Sequence, residues 1–582
     1  MHGLYENRRF ALRVSRLRSQ EIRRRACVGV LRKREYLPLL FAIRSFYRLG
    51  LMPFMAAILI ATTPAVFVPL LCAQTSAPTP GAESAPATHP FVFTVNARLV
   101  VLDVVVTDKA GKPVDGLTTR DFQVFEDDKP QRIRSLDSPS AHTLPATSIA
   151  AGITAVFDPA QPASFGHSPV DILVFDQLNT HFADSSFARR CLHDYLASQP
   201  ALLPQPTTLL TVYDNHFKLL QGFTRDRDAL LRTVGAAPAE YPWKLEVNGK
   251  AEYGPVERLD QSLRALEEIA QSYARIPGRK NLIWVGGGFP TINPTTIDGD
   301  DAQEVKDALQ HVTDILLDTH VTLYAIDPSS TAAGMTEITD SSQAAFVLAA
   351  GDALSGGFDP FSASSDFDRL GPVTGGRVIR GRNDIGKQIA SSADLGAHYY
   401  TIAYTPSSSS EAEAQYRKIR VVCLRPGLTA TTRTGYYSGE TQAEKASATA
   451  AYDLTTAAET ALPLNGIRVT VELDSSPSAP PNTYIVHAGA ANLTWKTKEN
   501  GSATASVYIM AVSLNAKNTM LGHTLHGMKA NARPGVNLTD PAKMADFDFT
   551  ALPAPKATTL RFIVRDNATG RMGSADLPLR MP

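Results

Sequence analysis

The sequence predicts an α/β protein: a mainly parallel sheet with helices on both faces, flanked by an N-terminal β unit and a C-terminal antiparallel β-sandwich. Three observations predict it. Asp171–Asp176, Asn281–Val285 and Val321–Ile326 are short, nearly continuous apolar runs, as strands buried on both faces should be. Between such runs lie helical stretches, above all 255–275, where Val256, Leu259, Leu263, Leu266, Ile269, Ala270 and Tyr273 keep three-four spacing. Outside residues 168–440 the pattern changes to β-branched runs and period-two alternation broken by turn residues.

The 582 residues suffice for several domains, and 44% hydrophobic with 20% charged residues is an ordinary globular composition. Lys+Arg and Asp+Glu both number 57, so no global field recruits a partner, and no basic surface for nucleic acid is visible beyond the N-terminus. Residues 1–48 are arginine-rich, Leu49–Leu71 is apolar, and Leu71-Cys72-Ala73-Gln74 precedes a Pro/Ser/Ala linker at 74–90. Residues 1–73 therefore read as a basic leader plus secretory signal cleaved near Ala73, with the same run kept as a membrane anchor as the alternative. Either way the chain is expected to be exported: periplasmic, in the cell envelope or extracellular. After such cleavage only Cys191 and Cys423 remain, without metal-ligand spacing.

Within the mature chain, Phe91–Val95, Leu99–Val106 and the alternating Asp121–Asp127 form the small β unit, 91–137, followed by a linker, 138–167. The α/β domain, 168–440, opens on the strand ending at Asp176. A helix from Asp184 to Ser198 comes next, then a hairpin of Thr208–Tyr213 and Lys218–Phe223 and a helix at 226–234. The 255–275 helix, the strand ending at Gly286-Gly287-Gly288, a helix at 301–319 and the strand ending at Asp327 continue the alternation. A Gly/Ser/Asp/Phe-rich loop at 351–368, a helix from Asp384 and strands His398–Tyr404 and Ile419–Leu424 complete it. The Ala/Thr/Ser/Glu-rich 441–455 reads as a linker, and Ile467–Leu473, Ser506–Leu514 and Thr559–Val564 as strands of the sandwich, 456–582.

Open parallel sheets bind ligands beyond the carboxyl ends of their strands, and here Asp176, Asp214 and Asp327 stand at three such ends. Acidic groups there would suit a hard cation. This order of elements resembles a von Willebrand factor A domain, a Rossmann-like fold whose metal-ion-dependent adhesion site takes Asp-x-Ser-x-Ser, a Thr and a further Asp. The resemblance implies Asp176, Thr180 and Thr224 as ligands of Mg²⁺, or of Mn²⁺ or Ca²⁺, from Asp176-Gln177-Leu178-Asn179-Thr180 and Gly222-Phe223-Thr224-Arg225-Asp226. Leu178 replaces the first Ser and Gly287 stands in place of the second Asp, so the motif is degenerate.

Over most of the mature chain the sequence is similar to the von Willebrand factor A-related family of acidobacterial type. The segments that carry this are Val104–Asp108, Asp121–Asp127, Ile276–Leu282, Tyr399–Pro406, Tyr416–Val421, Gly435-Tyr436-Tyr437 and Phe562–Asp566. The expected function is binding of a protein or surface polymer at the cell envelope, with membrane contact only through an N-terminal anchor. A structural envelope component with a non-functional metal site is one alternative, and an enzyme using acidic loop residues another. Catalysis is not expected: no Ser sits on a nucleophile elbow, the histidines are scattered, and Glu267-Glu268 reads as a solvated helix face.

Overall fold

The computed structural model describes residues 99–579, apart from 151–157, 159–160, 215, 248–253, 289, 291, 293–298, 330–366, 408–414 and 439–440. The leader, the 74–90 linker and the 351–368 loop up to residue 366 lie outside the described residues.

Strands β1 (Val100–Thr107), β2 (Phe122–Glu126), β3 (Lys129–Gln131) and β4 (Ile133–Asp137) come first. The next six strands, β5 (Val170–Asp176), β6 (Leu202–Val212), β7 (Phe217–Asp226), β8 (Lys280–Val285), β9 (Val321–Ile326) and β10 (Arg377–Ile379), build one sheet. Its order is β10-β9-β8-β5-β6-β7, parallel throughout except for the β6–β7 hairpin at the edge. Every side chain of β5, β8 and β9 is buried, which is why those strands are apolar runs.

Among the described residues, five helices of ten residues or more cover the sheet: α1 (Phe182–Ser198), α2 (Arg227–Ala236), α3 (Gly254–Ser272), α4 (Gly299–Asp318) and α5 (Ile385–Ala397). Helices α3 and α4 press Leu263, Leu266, Leu309 and Val312 onto Ile172, Val174, Leu282 and Leu323 of one face. On the other, α1, α2 and α5 press Leu192, Leu196, Leu230 and Ile389 onto Leu173, Phe175, Ile283 and Ile326. The mixed α/β sheet expected from the alternation is thus present, with its strand and helix limits close to the expected ones.

Of the small β unit expected at 91–137, the Phe91–Val95 run lies outside the described residues, and the part from residue 99 is not a separate module. Strands β11 (Tyr400–Tyr404), β12 (Gln415–Cys423), β13 (Thr429–Thr431) and β14 (Gly435–Ser438) supply its partners, in sheets β13-β1-β11-β4 and β14-β12-β2-β3. Leu102, Val104, Val124, Ile402, Tyr404 and Ile419 fill the space between the two sheets. The α/β unit is therefore an insertion between the halves of a β-sandwich, and strands β11 to β14 belong to the sandwich rather than to the 168–440 domain. A strand cannot bury its alternating face alone, so β1 and β2 had to find partners, but sequence separation hid which.

Residues 441–455 are not a linker either. They lie in α6 (Thr441–Glu459), whose Ala450, Leu454, Ala457 and Ala458 are buried. Strands β15 (Val469–Leu473), β16 (Thr483–Gly489), β17 (Lys496–Thr497), β18 (Ala503–Leu514), β19 (Met520–Ala532), β20 (Met544–Thr550), β21 (Thr559–Asp566) and β22 (Met572–Pro578) follow. All pair antiparallel, in sheets β15-β16-β20 and β17-β18-β21-β22 with β19 beside β18, over a core of Val486, Val507, Ile509, Phe547, Phe549 and Phe562.

One buried acid inside the α/β sheet makes stability depend on pH. Asp171 accepts a bond from Asn281 Nδ2 at 2.9 Å, yet burial pushes its carboxyl up to about 7 from the usual 3.8. Between those values the folded chain holds a proton that the unfolded chain has lost, so stability falls as pH rises from ~4 to ~7. Asp171→Asn keeps the bond to Asn281 and removes the titration. Its melting curve is expected to match wild type at pH 4 and to show a gain of about 1–2 kcal/mol at pH 8.

Candidate functional site

The carboxyl ends of β5, β6 and β8 meet at a turn built on Asp176. The side chain of Asp176 closes an Asx turn, its Oδ1 accepting the Leu178 and Asn179 N–H groups at 2.9 Å each. Its Oδ2 accepts the Trp284 indole N–H at 2.9 Å, and burial pushes the carboxyl up to about 6 against these donors. Thr180 Oγ1 donates to the Asp176 carbonyl at 2.5 Å and accepts the Gly287 N–H at 2.9 Å. Asn179 is held in turn by Ser262 Oγ at 2.9 Å and Arg258 Nη1 at 3.2 Å.

The structure brings Asp176 and Thr180 together and places Thr224 elsewhere. Thr224 pairs with Thr207, which pairs with Asp171 at the amino end of β5, while Asp176 pairs with Val212. Five residues of strand put Thr224 roughly 16 Å along the strand direction from the level of Asp176 and two strands across, at the opposite end of the sheet. There its Oγ1 accepts the Asp226 N–H at 3.0 Å, and Asp226 caps α2 through the Asp228 and Ala229 amides. The Thr loop of the motif is a helix start, because an antiparallel strand carries the chain back to the far end.

Asp176 and Thr180 do not fit a divalent ion. Both carboxylate oxygens and the hydroxyl are engaged by protein donors, and Leu178 is buried in the core under the turn. The backbone of Gly286-Gly287 occupies the remaining space: a Cβ on Gly286 would lie 2.3 Å from Asp176 Cβ, and one on Gly287 2.0 Å from the Asn179 carbonyl oxygen. Gly287→Asp, which writes the missing acid back, is expected to cost about 1–3 kcal/mol by overpacking. Thermal melts with and without Mg²⁺ check this, and the two curves are expected to coincide.

What the turn does present is a rim of exposed rings. Phe182 opens α1 directly after the turn, and Tyr241 and Trp243 arrive on the segment that follows α2, with the short helix Trp243–Glu246. Phe182 and Tyr241 lie 5.6 Å apart and Tyr241 and Trp243 4.8 Å apart, centre to centre. They are 42%, 40% and 61% exposed, and Val247 beside them is exposed too. Glu246 fastens the rim, its Oε1 accepting the Phe182 N–H at 3.1 Å and lying 3.2 Å from His181 Nδ1; these bonds hold its carboxyl below the usual range. Gln177 and Asp214 anchor the same segment through the Glu240 and Lys244 amides, at 3.0 Å each. No motif announces this rim: its members are 65 residues apart at the Glu246–His181 contact.

A second polar cluster lies further along α3, toward its C-terminal end. Glu267 and Glu268 are buried, not a solvated helix face, because α6 and the segment after it pack over α3. Glu268 Oε1 accepts the Ala461 and Leu462 N–H groups at 2.8 Å each, and burial pushes its carboxyl up to about 7. Glu267, His311 of α4 and Asp453 of α6 offer ligand atoms that all lie within 4.8 Å of one another, a group able to hold a metal ion. Burial, then the Asp453 charge, drives the Glu267 carboxyl well above the carboxylate range. Asp453 Oδ2 accepts Arg565 Nε at 2.7 Å, and its Oδ1 lies 2.9 Å from His311 Nε2.

No family model and no curated protein matches the chain. Among solved structures it is similar to the crystal structure of the SpRpn10 VWA domain, at 15% identity and a TM-score of 0.15, over 28% of this chain and 88% of that one. It is also similar to an endonuclease/exonuclease/phosphatase from Beutenbergia cavernae DSM 12333, at 11% identity and a TM-score of 0.09, over 32% of this chain and 38% of the other. Neither likeness assigns an activity.

Proposed function

We propose that this chain is an exported recognition protein of the von Willebrand factor A-related kind. It binds a protein or surface-polymer partner, without turnover, on the loops at the carboxyl edge of its six-stranded sheet. The observation that carries the proposal is the exposed ring cluster Phe182, Tyr241 and Trp243, held in place by Glu246, Gln177 and Asp214. Solvent-facing aromatic side chains on an ordered scaffold are typical anchors of interfaces, and this edge is where open α/β sheets place ligands. Binding at this edge is independent of a metal at Asp176, whose oxygens are already engaged. Export rests on the basic flank, the apolar run and the Pro/Ser/Ala linker.

The test is capture from an envelope extract with the wild-type chain and with a Phe182→Ala, Tyr241→Ala, Trp243→Ala variant. A partner retained by the first and lost by the second is expected. A partner retained equally by both contradicts the proposal.

A further inference from the structure

Glu267 poses a problem that the protein alone leaves unsolved. Its side chain is 1% exposed, and neither carboxyl oxygen has a hydrogen-bond partner. Buried carboxylates are ordinarily met by several donors or by a cation, since an unmet one costs free energy on burial. Helices α3, α4 and α6, far apart in sequence, converge here to set a His311 ring nitrogen and an Asp453 oxygen within 4.8 Å of a Glu267 oxygen. Of the arginines acting on Glu267, Arg565 is committed to Asp453 Oδ2, with Thr449 Oγ1 donating to the same oxygen at 3.2 Å, and Arg264 is paired with Asp260 at 3.0 Å. Glu267 thus faces these charges without a hydrogen bond from any of them.

We propose that Glu267, His311 and Asp453 bind a divalent transition-metal ion of the Zn²⁺ class, which fastens α3 and α4 to α6 and the C-terminal sheet. One imidazole with two carboxylates is a nitrogen/oxygen ligand set that suits Zn²⁺; Ca²⁺ wants six to eight oxygens, and Mg²⁺ disfavours imidazole. Bonds of about 2.0–2.2 Å require ligand atoms roughly 3.3 Å apart, so small rotations about the side-chain bonds close the present spread. The His311 side chain keeps 14% exposure, while the Asp453 and Arg565 side chains are buried. That opening supplies both an entry path and a place for a water ligand, completing four-coordination. Arg565 and Thr449 act on the ion only by holding Asp453 in position.

The experiment is calorimetric titration of the chelator-stripped full chain with Zn²⁺, Mg²⁺ and Ca²⁺, repeated on Glu267→Gln and His311→Ala. One Zn²⁺ per chain at micromolar affinity or tighter is expected, with no heat from Mg²⁺ or Ca²⁺. Both variants are expected to lose at least tenfold in affinity while keeping the wild-type circular-dichroism spectrum. Glu267→Gln decides alone if His311→Ala does not fold. The proposal is overturned if wild type takes up no Zn²⁺, or if folded Glu267→Gln binds it as wild type does, which would put the ion elsewhere. The rim of aromatic rings plays no part in these readouts, so either proposal can fail alone.

Discussion

Arg565→Met is expected to cost about 3–5 kcal/mol, more than Gly287→Asp or the loss of any ring from the aromatic rim. Arg565 and Asp453 are both buried, and the guanidinium reaches Asp453 Oδ2 through Nε at 2.7 Å and again through Nη2. Methionine fills much of the volume but leaves the Asp453 carboxylate in the interior with His311 and Thr449 as its remaining partners. An uncompensated buried charge costs far more than the intact pair contributes, so the pair is a poor source of stability and a strict requirement all the same. The variant should be melted in chelator, so that no added cation stands in for the arginine. Because α6 and β21 carry the two residues, the early-melting part is expected to be the C-terminal sheet with α6. A urea transition followed through Trp495 in that region checks it, and an unchanged midpoint would show that the pair is solvated in solution.

Trp243→Ala is expected to weaken partner binding by about 30-fold or more, roughly 2 kcal/mol, with little change in melting temperature. The ring is 61% exposed and touches Tyr241 at 4.8 Å, so truncation removes contact area on offer to a partner and almost none of the core. Tyr241→Ala is expected to act in the same direction and to be less than additive with it, since the two rings support one another. Titration of the captured partner against each variant measures both. A fold defect would instead appear as a shifted melting curve.

Much of the fold was legible because burial imposes its period on the chain. The apolar positions at 259, 263, 266, 269, 270 and 273 are all buried in α3 and just beyond it, and β5, β8 and β9 lie at the expected runs. Position 176 at a strand end was legible for the same reason. What closes it was not: Trp284 is 108 residues away, and nothing local says that its indole will fill the carboxylate's second oxygen. Thr224 was misplaced because it was matched to the motif by residue type, although the expected hairpin already sends β7 back antiparallel to β6 and so to the far end of the sheet. Glu267 and Glu268 looked solvated because acidic neighbours on a helix usually are. Their burial depends on α6, whose Ala/Thr/Ser composition resembles a linker although Ala450, Leu454, Ala457 and Ala458 mark one helical face. The N-terminal β unit failed in a similar way, since Leu102 pairs with Ile402 across the whole inserted domain.

Where the partner sits is the central claim, and a hydrogen-exchange footprint tests it most directly. Exchange is measured on the chain alone and saturated with its captured partner, in chelator and again in Mg²⁺. The prediction is slowed exchange in the 177–183 turn and the 238–247 segment, the same in both buffers, with the Thr224 end of the sheet unchanged. Protection confined to the Thr224 end or to the C-terminal sheets, or protection at 177–183 only when Mg²⁺ is present, would contradict it.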